Sequence, residues 1–265
     1  MIITPQALDA AFKGFKTLFN DAFGAVPSDL DRIAMRVPSN TSEEIHSWLG
    51  QFPGMREWIG ERIVKNLSAH GFTIKNRKFE STVSVPRDKL EDDQIGVFRP
   101  LFQEMGRVAK THPDTVVFEV LKAGFSSKCY DGQYFFDTDH AGFVQNGEAL
   151  EEVSVSNFAA GTDEAWYLLD TSRAIKPIVW QERTPYEFQT QDQTGSDSVF
   201  LKDEYVYGVR ARANAGYGLW QLAYASKQPL THESYEAARL AMQSSPAIRA
   251  RSSASGRTCL LFLPP

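Results

Sequence analysis

Hydrophobic residues recur at three- and four-residue spacing near the start of the chain. The apolar positions in this stretch are Leu8, Phe12, Phe15, Leu18, Phe19 and Phe23. Their period predicts an amphipathic helix over residues 5–23, with Pro5 near its start and Gly24 after its end. Four phenylalanines on one short helix need an apolar partner. That partner is either the body of the same chain or another copy of it.

From residue 41 to residue 86 the pattern changes to short β-branched and aromatic segments. The strand-like segments are 62–67, 72–74 and 79–85, with a turn at 68–71 and a second turn or bulge at 75–78. Together they predict an elongated hairpin. Because this hairpin has few apolar residues and many charged ones, we expect it to lie against another surface.

A second helical pattern, longer than the first, follows the hairpin. Its apolar stripe consists of Ile95, Phe98, Leu101, Phe102, Met105, Val108, Ala109, Val116, Val117, Val120 and Leu121. Asp92 or Asp93 is the expected N-cap, Pro113 marks a kink or a new first turn, and Gly124 ends the helix. About thirty residues of helix span roughly 45 Å, more than a compact domain usually needs.

Beyond residue 125 strand and helix signals mix, which predicts an α+β fold. The expected strands are 165–169, 178–180, 199–201 and 205–210. Thr231 is a suitable N-cap for a helix that ends at Met242. Residues 244–256 are rich in Ser, Ala and Arg and are expected to be mobile, and the apolar run 260–263 is strand-like.

Composition excludes several classes of protein. The 265 residues are 42% hydrophobic and 23% charged, values typical of globular domains and not of collagen or disordered chains. No apolar run is long enough to span a membrane, and the first residues do not resemble a secretory signal. Cys129 and Cys259 cannot form a disulfide framework.

The net charge of −5 argues against tight wrapping of nucleic acid. Its distribution is uneven, because residues 62–87 contain six cations and one anion, and a group of acidic residues follows. That acidic group is Asp88, Glu91, Asp92 and Asp93. Each run is either a solvated face or a surface complementary to another copy of the chain.

Only one group of residues suggests chemistry. It consists of Cys129, Asp131, Asp137, Asp139 and His140, which could bind a metal, and a metal-dependent hydrolase using Asp137, Asp139 and His140 is one alternative function. The spacing matches no known zinc or calcium loop, and aspartates in turns usually cap backbone groups. No nucleophile elbow, phosphate loop or dinucleotide fingerprint occurs. We therefore predict no catalytic residue, no cofactor and no metal site, and expect that the protein is not an enzyme.

Four groups of sequence strings resemble one protein family. They are Trp48-Leu49-Gly50 with 55–58, 65–67, 73–76 and 91–96; 130–133 with 136–140; 166–173 with 176–177; and 207–209 with 216–223. Over about residues 1–243 the chain resembles the Mu-like prophage major head subunit, the gpT family. The resemblance implies a structural capsid protein with the fold of the Hong Kong 97 phage head protein.

The resemblance also implies an order of domains. The N-terminal arm takes residues 1–40, and the extended hairpin loop with its flanking strands takes 41–91. The long spine helix and the peripheral domain take 92–149, and the axial domain takes 150–228. A return helix and a mobile or truncated C-terminus take 229–265. Residues 244–258 differ from the family's corresponding region, so we expect truncation or alteration near Ser244.

The function implied is self-assembly into an icosahedral shell that encloses double-stranded DNA, bound without sequence specificity. The expected partners are copies of the chain in pentamers and hexamers, a scaffold or protease, and a portal, with no membrane. The chain is expected in the host cytoplasm before assembly and in the virion afterwards. An encapsulin-like shell for protein cargo is a further alternative. The predicted interface residues are Trp58, Arg62, Lys65, Lys75, Arg77, Lys78, Glu91, Asp92 and Asp93.

Overall fold

The structure, a computed structural model, describes residues 4–47, 49, 71–92, 94–146, 149–193, 196–244 and 258–262. Several positions named above lie outside these ranges. They are Trp48, Trp58, Arg62, Lys65, Asp93 and residues 245–257. Within the described residues the chain combines helices with mixed sheets, which confirms the α+β class.

Helices and strands alternate irregularly along the chain. The described helices are α1 (Pro5–Ala25), α2 (Leu30–Ile33), α3 (Arg87–Glu91), α4 (Arg99–Ala123), α5 (Asp197–Lys202) and α6 (His232–Ser244), with 3-10 turns at Ile95–Phe98 and Trp220–Leu222. The described strands are β1 (Ala34–Pro38), β2 (Glu43–His46), β3 (Phe72–Lys75), β4 (Arg77–Pro86), β5 (His140–Asn146), β6 (Ala149–Val155), β7 (Phe158–Ala159), β8 (Trp166–Asp170), β9 (Ile178–Gln191), β10 (Glu204–Tyr217), β11 (Ala223–Ser226) and β12 (Thr258–Phe262). None of the described helices is long and apolar enough to cross a bilayer.

The N-terminal helix α1 confirms the predicted amphipathic pattern. Thr4 caps it, its hydroxyl oxygen accepting a hydrogen bond from the backbone N–H of Ala7 at 3.2 Å. The buried face packs against α4, where the Phe15 ring stacks on Phe102 with centroids 4.0 Å apart. The apolar partner of α1 is therefore the body of its own chain.

The long helix α4 starts later than predicted. Asp92 is not its N-cap, because the Asp92 N–H bonds to the carbonyl of Asp88 and thereby ends α3. A 3-10 turn intervenes, and α4 begins at Arg99 with Pro100 in its first turn, where no backbone N–H is needed. The helix then runs unbroken through Pro113 to the predicted end at Gly124.

A four-stranded sheet in the order β1-β9-β10-β4 forms the centre of the fold. One face of it packs on α1 and α4 and buries an aromatic cluster that includes Phe102, Phe188 and Tyr207. Residues 199–201 do not form the predicted strand: they lie in α5, between β9 and β10, with Val199 buried in the cluster. Three apolar residues cannot by themselves distinguish a strand from a single helical turn.

A second sheet, in the order β12-β8-β11-β7, carries the C-terminal part of the chain. The predicted apolar strand near the C-terminus is confirmed as β12, which pairs antiparallel with β8. Helix α6 covers this sheet through Ala238 and Met242. Thr231 is its N-cap as predicted, since the Ser234 N–H donates to the Thr231 hydroxyl at 3.2 Å.

Residues 62–70 of the predicted hairpin lie outside the described residues, and the second turn predicted at 75–78 is wrong. Strand β3 pairs with β2, whereas β4 pairs along its length with β10 and belongs to the central sheet. Residues 75–78 make no reversal: Asn76 alone separates β3 from β4 and donates its side-chain amide to Ser39 and to the Thr41 carbonyl. Because Val83 and Val85 face the aromatic core, β4 is held in the body of the protein.

Candidate assembly surfaces

The loop after α4 and the start of β5 bring together three of the five residues that could bind a metal, Cys129, Asp131 and His140. Asp131 accepts hydrogen bonds from His140 Nδ1 at 2.7 Å, from the Cys129 thiol at 3.1 Å and from the Gln133 N–H at 3.1 Å. The ligand atoms of Cys129, Asp131 and His140 lie within 4.8 Å of one another, close enough to share a metal ion. The three hydrogen bonds account for the arrangement without one, because they satisfy the carboxylate and tie the loop to β5.

Burial keeps the thiol of this cluster protonated. It raises the pKa of the Cys129 thiol, so the nucleophilic thiolate is not populated near neutral pH. Burial also tends to raise the pKa of Asp131, but hydrogen bonds from His140 and Cys129 outweigh it and lower that pKa. The buried His140 ring stacks on Trp220 with centroids 4.0 Å apart.

Asp137 and Asp139 do not join His140. The Asp137 carboxylate accepts hydrogen bonds from the N–H groups of Tyr134, at 3.2 Å, and Thr138, at 2.7 Å. Asp139 is exposed. The three residues of the alternative hydrolase site are therefore not assembled in one place.

Lys75, Arg77 and Lys78 form a basic region where β3 meets β4. The Lys75 ammonium lies 3.9 Å from the Glu43 carboxylate, and the Arg77 guanidinium lies 5.1 Å from the centre of the Phe79 ring. The Lys78 side chain is exposed. These exposed contacts leave the positive charge open to solvent.

Two arginines that the sequence analysis missed extend this basic region. Arg212 on β10 lies opposite Lys78 on β4, and Arg183 lies at an irregularity in β9 near the same register. Arg183 Nη1 and Arg212 Nε are buried without a hydrogen-bond partner. The alternation of alanine with Arg210, Arg212 and Asn214 in β10 is a two-residue period that indicates this polar face.

The acidic counterpart lies at the other end of β4. Glu91 pairs with Arg87 of its own chain at 3.0 Å, and Arg87 also lies 3.7 Å from Asp203, next to α5. Asp92 is exposed. A ten-residue strand separates the basic from the acidic end, a distance of roughly 30 Å.

Apolar side chains are exposed on three of the described helices, α4, α5 and α6, where Leu240 is 60% exposed. Leu101 and Val108 of α4, predicted within its buried stripe, face solvent because the buried face is narrower than that stripe. On α5, Phe200 is 83% exposed and Leu201 is 72% exposed. Their place at the acidic end of the sheet was not foreseen.

A comparison with known protein families matches residues 8–253 to the Mu-like prophage major head subunit gpT. The chain belongs to the gpT family of Mu-like major head subunits. The match continues ten residues past the limit of 243 expected from the sequence strings. Residues 245–257, where we expected truncation or alteration, lie outside the described residues.

Characterised relatives of this gpT chain are head proteins. The Mu-like prophage FluMu major head subunit of Haemophilus influenzae is 45% identical over 237 residues, which cover 87% of this chain and 76% of that protein. The major capsid protein of Escherichia phage Mu is 40% identical over 234 residues, covering 87% and 77%. The gpT chain is thus the major capsid protein of a Mu-like phage, a structural protein and not an enzyme.

Solved capsid structures share its fold. The procapsid subunit of bacteriophage JBD30 is 45% identical, with a TM-score of 0.81 over 96% of this chain and 84% of that one. The subunit of the bacteriophage JBD30 capsid is 33% identical, with a TM-score of 0.67 over 92% and 82%. These matches confirm the predicted capsid fold and show that gpT-like chains form oligomeric shells. None of the comparisons supports an encapsulin-like compartment or a hydrolase.

Proposed function

We propose that this major capsid subunit assembles head to tail into five- and six-membered rings, which close an icosahedral shell around double-stranded DNA. The observation that carries the proposal is the opposite charge at the two ends of β4. In a heterologous contact the basic end of one subunit lies on the acidic end of the next, and because the two ends are roughly 30 Å apart, each subunit uses them for two different neighbours. Heterologous contacts related by rotation close into rings.

The predicted interface residues fit this arrangement. Lys75, Arg77 and Lys78 lie at the basic end, and Glu91 and Asp92 lie at the acidic end. We assign Trp58, Arg62, Lys65 and Asp93 to the same contact. Each exposed ion pair contributes only about 0.2–1 kcal/mol, so assembly depends on repeating the contact around every ring of the shell.

The proposal includes the other partners that the family resemblance implied. The net charge of −5 suits a container for DNA, because a strongly cationic wall would hold phosphate and hinder its release. We assign DNA as packaged cargo without sequence-specific contacts, a scaffold or protease and a portal as assembly partners, and the host cytoplasm as the location before assembly.

The domain layout also belongs to the proposal. We assign five parts along the chain: an arm at 1–40, a loop at 41–91, spine and peripheral parts at 92–149, an axial domain at 150–228 and a return segment at 229–265. The central sheet joins parts of the chain that this layout separates. Strand β4 comes from before the boundary near residue 150, and β9 and β10 come from after it.

Charge reversal tests the head-to-tail contact. A basic-end variant carries Lys75→Glu, Arg77→Glu and Lys78→Glu, and an acidic-end variant carries Glu91→Lys, Asp92→Lys and Asp93→Lys. Sedimentation velocity and negative-stain microscopy at low salt should show rings or shells for the unaltered chain and monomers for each variant. Unchanged assembly of either variant would contradict the contact.

Mixing the two variants provides the control. Each basic-to-acidic pairing is recovered between unlike chains, so assembly should return in the mixture. A six-membered ring can alternate the two chains and a five-membered ring cannot, so the restored particles should be six-membered rings. A mixture that stays monomeric would show that the two charged ends do not meet.

A further inference from the structure

Helix α5 is held to the body of the protein by one side and presents apolar residues on the other. Val199 is buried in the aromatic cluster beside Tyr205 and Tyr207. The next two residues, Phe200 and Leu201, are the most exposed large apolar side chains among the described residues. Because Val199 and the β9–β10 connection fix the helix, these two side chains cannot turn inward.

Acidic residues are concentrated at the end of the sheet that carries this apolar pair. Residues 87–92, 192 and 197–204, which adjoin the same end of the sheet, contain seven acidic residues and three cations. Burial is the main cause that raises the pKa of the Tyr205 phenol, and the nearby carboxylates of Glu91, Asp203 and Asp192 raise it further. Arg87 offsets part of this negative charge through its contacts with Glu91 and Asp203.

We infer that Phe200 and Leu201 are the apolar centre of a docking surface for a second copy of this chain, and that the acidic side chains form its rim. Apolar anchors ringed by polar groups are the usual anatomy of protein interfaces. The inference rests on the proposed function and adds to it the residues that supply apolar contact.

Charge complementarity identifies the occupant. The acidic rim requires a positively charged partner surface, and this chain carries one at residues 75–78 with Arg212 beside it. Ile45 on β2, the strand paired with β3, adds an apolar side chain that is 67% exposed. A second copy therefore offers both kinds of group that the surface needs.

A double variant tests the surface. Phe200→Ser with Leu201→Ser should raise the protein concentration needed for half-assembly by roughly tenfold or more for each side chain that the contact buries. Light scattering and sedimentation velocity of the full chain measure this concentration. Because both side chains are exposed, the unfolding midpoint of the dilute monomer should not change.

Two further variants keep the test specific. Phe200→Leu with Leu201→Met retains apolar surface and should assemble like the unaltered chain. Leu240→Ser on α6, a leucine 60% exposed, removes a similar exposed side chain and should assemble normally. The serine double variant should also lose more assembly at high salt than at low salt, since salt screens the rim charges that remain.

The outcomes separate this inference from the proposed function. If the unaltered chain stays monomeric, the proposed function fails and the inference fails with it. If the unaltered chain and the serine double variant assemble at the same concentration, the docking surface is wrong while the head-to-tail contact stands. The inference would also be overturned if Leu240→Ser weakened assembly as much as the serine double variant does. It would be overturned as well if the serine double variant assembled normally but lost binding to a different protein.

Discussion

Helices α1 and α5 both carry phenylalanine next to leucine, but the apolar side chains of α1 are buried within the subunit and Phe200 and Leu201 of α5 are exposed. In α1 the apolar face is covered by α4 and the central sheet, and Phe15 is 1% exposed. In α5 only Val199 is covered, and Phe200 and Leu201 project into solvent. The sequence left open whether the longer helix packs on its own chain or on a neighbouring subunit, yet it is the short helix that has the uncovered side chains.

The difference shows what an amphipathic pattern can determine. A helical period states that one face will be buried, but it does not say on which chain the covering surface lies. Helix α1 has 21 residues and finds a long helix of the same chain to pack on. Helix α5 has six residues between two long strands, so it can turn only one side toward the core.

Replacing a ring in the aromatic core should have the largest effect on the stability of the single subunit. Phe15→Ala removes the stack on Phe102 and the edge contact to Tyr207, whose ring centroid lies 5.1 Å away. We expect the free energy of unfolding to fall by about 3–5 kcal/mol, measured by denaturant unfolding at a concentration below assembly.

The matched control is Phe200→Ala. It removes the same side chain from an exposed position and should change the free energy of unfolding by less than about 0.5 kcal/mol. Comparable losses from both variants would mean that α5 is buried within the subunit, and the contrast between the two helices would disappear.

A smaller effect is expected where α1 and α4 approach most closely. A Cβ at Gly106 would lie 2.3 Å from the carbonyl oxygen of Phe19, so Gly106→Ala must push the two helices apart. We expect a loss of about 1–3 kcal/mol of stability, although alanine is the better helix former.

Gly14→Ala is the internal reference for that change. A Cβ at Gly14 in α1 meets no atom within 4 Å, so the substitution should raise stability by about 0.5–1 kcal/mol. Thermal unfolding of both variants measures the sign directly. Stabilisation by Gly106→Ala would show that the helices are not in close contact there.

The buried carboxylate of Asp131 should make a pH-dependent contribution to the free energy of unfolding. Hydrogen bonds from His140 and Cys129 lower its pKa despite burial, so its stabilising effect is complete above the unfolded pKa of about 3.9 and is lost as the pH falls through the lower folded value. Asp131→Asn should cost about 1.5 kcal/mol at neutral pH and flatten the acid limb of a stability-against-pH curve. The exposed neighbour gives the control, since Asp139→Asn should leave both quantities unchanged.

The smallest expected effect is local to residues 39–44. Hydrogen bonds from the Asn40 N–H, the Ser39 hydroxyl and the Thr41 N–H lower the pKa of Glu44 to about 2. The stabilising contribution of the Glu44 carboxylate is therefore present above its unfolded pKa and is lost as the pH falls through about 2. Glu44→Gln should speed amide exchange at Asn40 and Thr41, measured by NMR. Glu43→Gln, one residue earlier, should leave the exchange rates of these two amides unchanged. If both variants speed exchange equally, the assigned hydrogen bonds are wrong.

Several elements followed from local sequence. The three- to four-residue period placed α1 and α4, Thr231 marked the start of α6, and the apolar run near the C-terminus became β12. The pairing of the strands could not be predicted from local sequence. Strand β4 was expected to pair within a hairpin, but its partner β10 lies more than a hundred residues away, and no local period encodes that pairing.

The candidate surfaces were also only half visible in the sequence. Runs of cations and acids indicated Lys75, Arg77, Lys78, Glu91 and Asp92, because like charges adjacent in sequence are conspicuous. The exposed pair on α5 was not visible, since Phe200 and Leu201 look like any buried strand in an apolar triplet with Val199. Its exposure depends on which side of a six-residue helix the core occupies.

Sequence alone determined the family, the α+β class, the amphipathic helices α1 and α4, and the separation of cations from acids along residues 62–93. These depend on residue order over short distances, which the chain states directly. Only the tertiary structure decided that α1 packs on its own subunit, that β4 belongs to the central sheet and that Phe200 and Leu201 remain uncovered. Those outcomes are fixed by long-range packing, in which each face is buried by whichever surface the whole fold brings against it.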